Sequence, residues 1–415
     1  MNTIEKLDSV LQYVLHNEYS DFYRILYKNE VKEKSEITSL EMWEKLPFLT
    51  KEDLNSNPLY KRIFVSKGHS DVLRSSSGTT GSSVVLTLRN HPMLTKDIFS
   101  EAPPLKGVLI VTSSLYTPED GFRKINPNML VVVTTLDTLE ASIALLKGTQ
   151  INCISAWVYA VDFIIPLLKK YELHEQIEVI HTFGGKITTN KFNQLKSVFI
   201  NANFYTTYSC SECHTTTAVS IDSFDSTFGP IFTPTGESYV ELIDTETQAV
   251  IHDSNKTGEI VLTALQTENS PSPALRFRTG DIAMYTHYEN DFVKRNFVIK
   301  GRTQFSQIRI PGGHLNIWEM ERVIALHDQQ IDDDFELHYY AESDDQSTKC
   351  ELHVLAKKEI NEAELTISIM KNLKVSPTLT YYQGFMNGLY PAITCHVVPT
   401  LLNTRKKKIK FHKHE

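Results

Sequence analysis

Apolar residues near the start of the chain recur at three- and four-residue steps: Ile4, Leu7, Val10, Leu11, Val14 and Leu15. This spacing predicts a helical face through Ile4 to Leu26, within a largely helical first 45 residues. Pro47 breaks the pattern, and Thr50 followed three positions later by Asp53 predicts the capped start of a short helix. From Val108 to Phe204 strand-like and helix-like segments alternate. Gly107 to Thr112 and Leu130 to Val133 are β-branched runs of strand length, whereas Thr138 to Leu146 and Trp157 to Tyr171 have helical spacing. Such alternation predicts α/β layers around a buried sheet. After Thr215 the pattern becomes short strands separated by turn residues, as at Tyr239 to Ile243 and Glu259 to Leu262, which predicts a β-rich subdomain. From Trp318 onward the order is helix, strand, strand, helix, a strand at Ala392 to Val398 and a basic tail, the size of a small α+β domain. The fold class expected is therefore α/β, with a large N-terminal body (1–303) and a small C-terminal domain (304–415) joined near Gln304.

Composition narrows the function classes. The 415 residues carry 42 basic and 50 acidic side chains, a net charge of −8 that gives no reason to expect nucleic acid as a partner. Met1 to Val10 lacks the apolar stretch of a secretory signal, and no apolar run approaches the roughly 18 residues of a membrane span. The five cysteines are odd in number and scattered, as expected of reduced thiols in a soluble, cytoplasmic protein. Cys210 and Cys213 have the spacing of half a zinc site, but no second pair lies nearby in sequence.

Candidate chemistry lies in loops. Ser75 to Ser83 is built from small and hydroxylated residues, so its amides and hydroxyls can cradle phosphate oxygens. The bland alternative is a flexible Ser/Gly linker, which the apolar run Val84-Val85-Leu86 directly after the loop disfavours. It is not a Walker loop, because no Gly-Lys-Ser/Thr follows. Thr279-Gly280-Asp281 puts an acid after a glycine turn, where it can accept hydrogen bonds from a ribose diol; taken alone it is an ordinary Gly-Asp turn. Tyr208 to Glu212 offers an aromatic face and a carboxylate suited to Mg²⁺ beside phosphates, or else a core residue and a surface acid. The tail Arg405 to Lys410 reads by itself as a solvated basic end.

In order, these segments resemble the adenylate-forming superfamily, and within it the phenylacetate–CoA ligase branch. Asp21 to Arg24 and Leu46 to Leu54 resemble that branch's opening signature, Ser76-Ser77-Gly78-Thr79-Thr80-Gly81 the phosphate loop, and Gly184-Gly185 the glycine pair beside adenine. Tyr208 to Glu212 is similar to the aromatic-to-acid motif, Pro273 to Asp281 to the ribose-binding strand and turn, and Gly301-Arg302-Thr303 to the hinge motif. Thr404 and Lys408 keep the four-residue spacing that leads to the family's catalytic lysine, with Lys406 and Lys410 as alternatives. Departures are Ser82-Ser83 in place of Lys-Pro after the phosphate loop, Lys186 after the glycine pair, Gln304 at the hinge, and Lys407 before the lysine.

The resemblance implies an enzyme that uses ATP and Mg²⁺ to convert a carboxylic acid to an acyl-adenylate and passes the acyl group to a pantetheine thiol. By the same resemblance, Ser76 to Gly81 hold phosphates, Glu212 holds Mg²⁺, Asp281 and Arg302 hold the ribose, and Tyr208 with Ser209 lies against the nucleotide. Lys408 bridges the reacting anions, and the C-terminal domain rotates about Gln304 between half-reactions to bring the Gly312-Gly313 loop to the thiol. Trp157, Tyr159, Cys210 and His214 line the acid pocket and suit a small aryl acid; Trp157 and Tyr159 read equally well as core. Size and motif style are similar to stand-alone aryl-acid ligases of siderophore biosynthesis, the petrobactin-type 3,4-dihydroxybenzoate ligases that load an aryl-carrier protein. Two other readings stay open: an aryl-CoA ligase using free CoA, and a nucleotide-binding regulatory homologue without catalysis.

Overall fold

A computed structural model describes residues 2–27, 36–64, 72–75, 86–89, 96–112, 119–185, 187–213, 216–265, 270–289, 291–302, 307–310, 313–343, 346–376, 379–401 and 411–414. The capping expected at Thr50 is present: its side chain accepts from Asp53 N while the Asp53 carboxylate accepts from Thr50 N, starting the helix Lys51–Ser56. The first helix is shorter than its periodicity suggests. It runs Thr3–Leu15, and a second, Phe22–Leu26, follows after a break. There Asn17 Nδ2 donates to Phe64 O and Ser20 Oγ to Lys61 O, so two polar side chains tie this turn to a distant loop.

The alternating middle of the chain forms five parallel strands in the spatial order Leu130–Thr134, Gly107–Val111, Cys153–Trp157, Val179–Phe183 and Asn203–Ser209. Helices Glu119–Ile125, Leu139–Ala144, Val161–Lys170 and Thr189–Val198 form the crossovers. Gly107–Val111 and Val179–Phe183 are buried at every position, as strands covered on both faces are; the first is an unbroken apolar run, and the second buries His181 and Thr182 among its apolar residues. Each such Val, Leu or Ile side chain contributes on the order of 1.5–3 kcal/mol of transfer free energy. Leu130–Thr134 has the same composition yet is the edge strand, leaving Leu130 45% and Val133 44% exposed. Trp157 ends a strand instead of opening a helix; a 3₁₀ turn, Val158–Ala160, precedes the helix at Val161.

The β-rich segment does not stand apart. Its strands continue the same sheet: Asn203–Ser209 pairs antiparallel with Thr216–Ile221, and the path runs on through Gly229–Pro234, Phe297–Arg302, Phe277–Tyr285 and Thr257–Ala264 to Ser238–Ile243. A buried ion pair fastens the N-terminal helices to this end. Arg276 Nη2 lies 3.1 Å from Glu241 Oε1, both side chains fully buried, and Trp43 Nε1 donates to Glu241 Oε2 at 3.2 Å. Arg276 also donates to the carbonyls of Glu44 and Leu46 and lies over the Phe48 ring. Burial raises the Glu241 carboxyl above its usual range, and the Arg276 charge opposes that shift.

Residues from Ile308 to Phe411 build a separate apolar core. It fills one face of a four-stranded sheet ordered Ile393–Val397, Gln346–Ala356, Ile331–Ser343, Phe411–His414, with helices Ile317–Ala325, Glu362–Asn372 and Tyr381–Met386 against it. The terminal basic stretch therefore ends in a strand, parallel to Ile331–Ser343. Asp333, at an irregularity in Ile331–Ser343, accepts from Thr188 Oγ1 at 2.8 Å and Asn190 Nδ2 at 2.7 Å, joining this region to the large sheet's crossover helix.

Candidate active site

The winding of the parallel sheet reverses between Gly107–Val111 and Cys153–Trp157, and ligands of open α/β sheets bind beyond the carboxyl ends of strands near such a reversal. Trp157 ends one strand, Gly184-Gly185 follows the end of the next, and Ser209 ends the third. Gly184 has φ +71°, and a Cβ there would sit 3.1 Å from Trp157 Cδ1. A Cβ on Gly185 would sit 3.3 Å from Val158 Cβ. Gly184 is thus favoured by backbone conformation and by packing, Gly185 by packing alone, and they leave bare main chain beside a half-buried indole.

Across the sheet, Thr279-Gly280-Asp281 makes a bulged turn within the strand Phe277–Tyr285, where the sequence suggested a turn after a strand. Gly280 has φ +75°, a conformation side chains resist. Thr279 Oγ1 donates to Ile260 O at 2.8 Å and accepts from Asp281 N at 3.0 Å, which fixes the acid's backbone. Glu259 holds the turn from the neighbouring strand: Oε1 accepts from Gly280 N and Oε2 takes both Nε and Nη2 of Arg278. Tyr208 Oη donates to Asp281 Oδ2 at 2.8 Å. Burial first, and the Asp281 charge second, raise the Tyr208 hydroxyl well above the usual tyrosine range, so it remains a donor. The backbone of Arg302 pairs directly with that of Asp281.

Beyond Ser209 the loop turns back through a Cys213 N to Cys210 O hydrogen bond. Cys210 Sγ donates to Glu212 Oε2 at 2.9 Å, and contact with Cys213, then burial and the Glu212 charge, raise this thiol. Buried Glu212 lines a cavity shared with Arg62, Phe22, Leu54, Phe64 and Pro273. One carboxylate is what a protein commonly gives Mg²⁺ when phosphates supply the other oxygens. Among the described residues Glu212 is the one carboxylate on that cavity, so it is the residue that would hold such an ion, with phosphate oxygens completing the shell.

Tyr208, Asp281 and the backbone of Arg302 come together, and Trp157 packs on Gly184. Ser76, Ser77, Gly78, Thr79, Thr80, Gly81, His214 and Lys408 lie outside the described residues, as do Lys186, Gln304 and Gly312 and the side chains of Tyr159 and Arg302. The sequence reading missed the supporting pair Glu259–Arg278; an acid in a strand otherwise buried for seven residues was its only signal. It also missed His181. That ring bridges Ser155 Oγ (2.8 Å to Nδ1) and Thr207 Oγ1 (2.9 Å to Nε2), linking three adjacent strands. Burial lowers its pKa to about 3, so it stays neutral.

Solved structures of known proteins share this fold. 2-Hydroxyisobutyryl-CoA ligase in the postadenylation state, in complex with R3-HIB-AMP, superposes with a TM-score of 0.74 at 14% identity, covering 99% of this chain and 88% of that one. The chain has the fold of adenylate-forming acyl-CoA ligases. The same ligase in the thioesterification state, with 2-HIB-AMP and CoA, gives 0.59 over the same coverage. Similar in this ligase fold are O-succinylbenzoate coenzyme A synthetase from Bacillus subtilis in complex with AMP (0.55, 15% identity, 81% and 67% covered) and Klebsiella oxytoca NpsA in complex with 3-hydroxyanthranilyl-AMSN (0.54, 13%, 83% and 70%). No protein-family model matches the chain, and no curated protein matches it in sequence. Among the described residues, no helix is long and apolar enough to cross a membrane.

Proposed function

We propose that the chain is an AMP-forming acid–thiol ligase. The observation that carries this reading is the Tyr208–Asp281 pair, held by a glycine turn beside the carboxyl edge of the sheet on which Gly184-Gly185 lies. In the first half-reaction a carboxylate oxygen bonds to the α-phosphorus of ATP as the bond to pyrophosphate breaks. Asp281 accepts from the ribose diol, Arg302 assists it, and Tyr208 and Ser209 lie against the nucleotide. Ser76 to Gly81 hold the leaving phosphates. Mg²⁺ on Glu212 supplies countercharge to them. Lys408, in a C-terminal unit of residues 304–415, bridges the two anions, and such preorganised charge is worth on the order of a hundredfold or more in rate. In the second half-reaction a pantetheine sulfur bonds to the acyl carbon and AMP leaves with the bonding pair, after the C-terminal unit has turned about Gln304. The better superposition on the postadenylation than on the thioesterification state of one ligase supports the first arrangement for this structure.

The acid is a small aryl acid in this reading. Trp157 beside bare glycine backbone supports a flat pocket, completed by Tyr159, Cys210 and His214, and 3,4-dihydroxybenzoate loaded onto an aryl-carrier protein is the substrate pair we put first. The test is ATP–pyrophosphate exchange over a panel of aryl and aliphatic acids, followed by thioester formation on CoA and on carrier proteins. Exchange that requires an aryl acid is expected; no exchange with any acid overturns the ligase reading.

A further inference from the structure

The small sheet has two faces of opposite character. Leu337, Tyr339, Leu352, Val354, Cys395 and Phe411 point into the apolar core. The alternate positions carry Glu336 and His338 on one strand, Glu351 and His353 on the next, and His412 and His396 on the outer two. The register stacks them: His338 pairs with His412 and with Glu351, and His353 with Glu336 and His396. The His338 and His412 rings are 4.5 Å apart and nearly parallel at 8°, and His353 lies 4.6 Å from His338. An imidazole binds a metal in its own ring plane, so sharing one ion asks the His338 and His412 rings to turn out of this stack. Glu336 is 2% exposed and His338 5%, yet their nearest approach, Glu336 Oε2 to His338 Nε2, is 3.8 Å. A cation held between them would balance the carboxylate's charge. Ligand atoms of Glu336, His338 and His412 all lie within 4.8 Å of one another.

We propose that Glu336, His338 and His412 form a binding site for a divalent transition-metal ion of the zinc type. Two imidazoles and a carboxylate are the donors Zn²⁺ takes, at roughly 2.0–2.2 Å each, which asks the three side chains to close by about 1 Å. The nitrogen donors select against Mg²⁺ and Ca²⁺, which prefer all-oxygen sites. The fourth position falls to water or to His353. The ligands come from two adjacent parallel strands, so the ion would add a tie between Phe411–His414 and Ile331–Ser343. The site does not depend on the activity proposed above.

The test uses the full chain after chelator treatment, titrated with Zn²⁺ by calorimetry and with Co²⁺ by visible absorption. One ion per chain and a tetrahedral Co²⁺ spectrum without thiolate charge transfer are expected. His412→Gln and Glu336→Gln should each weaken Zn²⁺ binding at least tenfold, while the exposed-site control His16→Gln does not. Zn²⁺ at 100 times Kd should raise the denaturation midpoint of the wild type and not of His412→Gln. If a ligand variant fails to fold without metal, the other variant and the wild-type Co²⁺ spectrum decide. Binding equal in wild type and a folded ligand variant, a thiolate band, or no binding below millimolar Zn²⁺ overturns the site.

Discussion

The Tyr208 hydroxyl donates to Asp281 Oδ2 at 2.8 Å, although the two residues stand 73 positions apart and on opposite flanks of three intervening strands. One belongs to the last parallel strand and the other to the antiparallel extension. This contact makes the α/β and β-rich parts contribute to a single site. Asp281→Ala should weaken ATP binding by about ten- to a hundredfold, the range of one lost charge-assisted hydrogen bond at about 1.5–3 kcal/mol. Tyr208→Phe should cost less, because it removes only the acid's orienting donor. Calorimetric titration with ATP checks both, and unchanged affinity in Asp281→Ala would remove Asp281 from the nucleotide site.

His181 predicts a pH dependence of stability. Its folded pKa of about 3 lies below the unfolded 6.5, so the unfolded chain binds the extra proton. The contribution is complete above pH 6.5 and declines as pH falls toward 3, at up to about 1.4 kcal/mol per unit. Urea unfolding at pH 7.5 and 5 should show that decline in the wild type and a shallower one in His181→Gln. Equal slopes would mean that the ring is hydrated in the folded protein.

The Arg276–Glu241 pair predicts an asymmetry. Arg276→Met leaves a buried carboxylate whose remaining donor is Trp43, and should cost about 3–5 kcal/mol. The double variant Arg276→Met, Glu241→Leu should recover part of that loss. Denaturant midpoints measure both; a double variant less stable than the single one would show that the pair contributes more than its charge balance.

Lys408→Ala should abolish adenylation while sparing thiol transfer from a supplied acyl-adenylate, and Gln304→Pro should do the reverse, since proline fixes φ where the rotation needs freedom. Asp333→Ala removes two hydrogen bonds made in the present arrangement, and should slow adenylation several-fold without harming transfer. Pyrophosphate release and thioester formation separate these outcomes. Normal adenylation in Lys408→Ala would pass the role to Lys406 or Lys410.

Much of this protein was legible in local sequence. Strand and helix alternation from Val108 to Phe204, the Thr50–Asp53 cap and the helix, strand, strand, helix order after Trp318 follow from apolar period and turn chemistry, which act over a few residues; the Lys374–Ser376 and Leu379–Thr380 hairpin, the helix Tyr381–Met386 and the final strand Phe411–His414 were not read. The glycine at 280 was legible as a break in the extended chain by the same turn chemistry, and it forms a bulge inside a strand. What local chemistry leaves open is which strand becomes an edge. Leu130–Thr134 and Gly107–Val111 read alike, and only their order in the sheet exposes one and buries the other. Tertiary structure alone brought Glu259 under the Asp281 turn, His181 between two hydroxyls, and Asp333 against Thr188. It also aligned histidines from four strands on one face, because strand register, set by pairing across as many as 74 residues between His338 and His412, has no local signature.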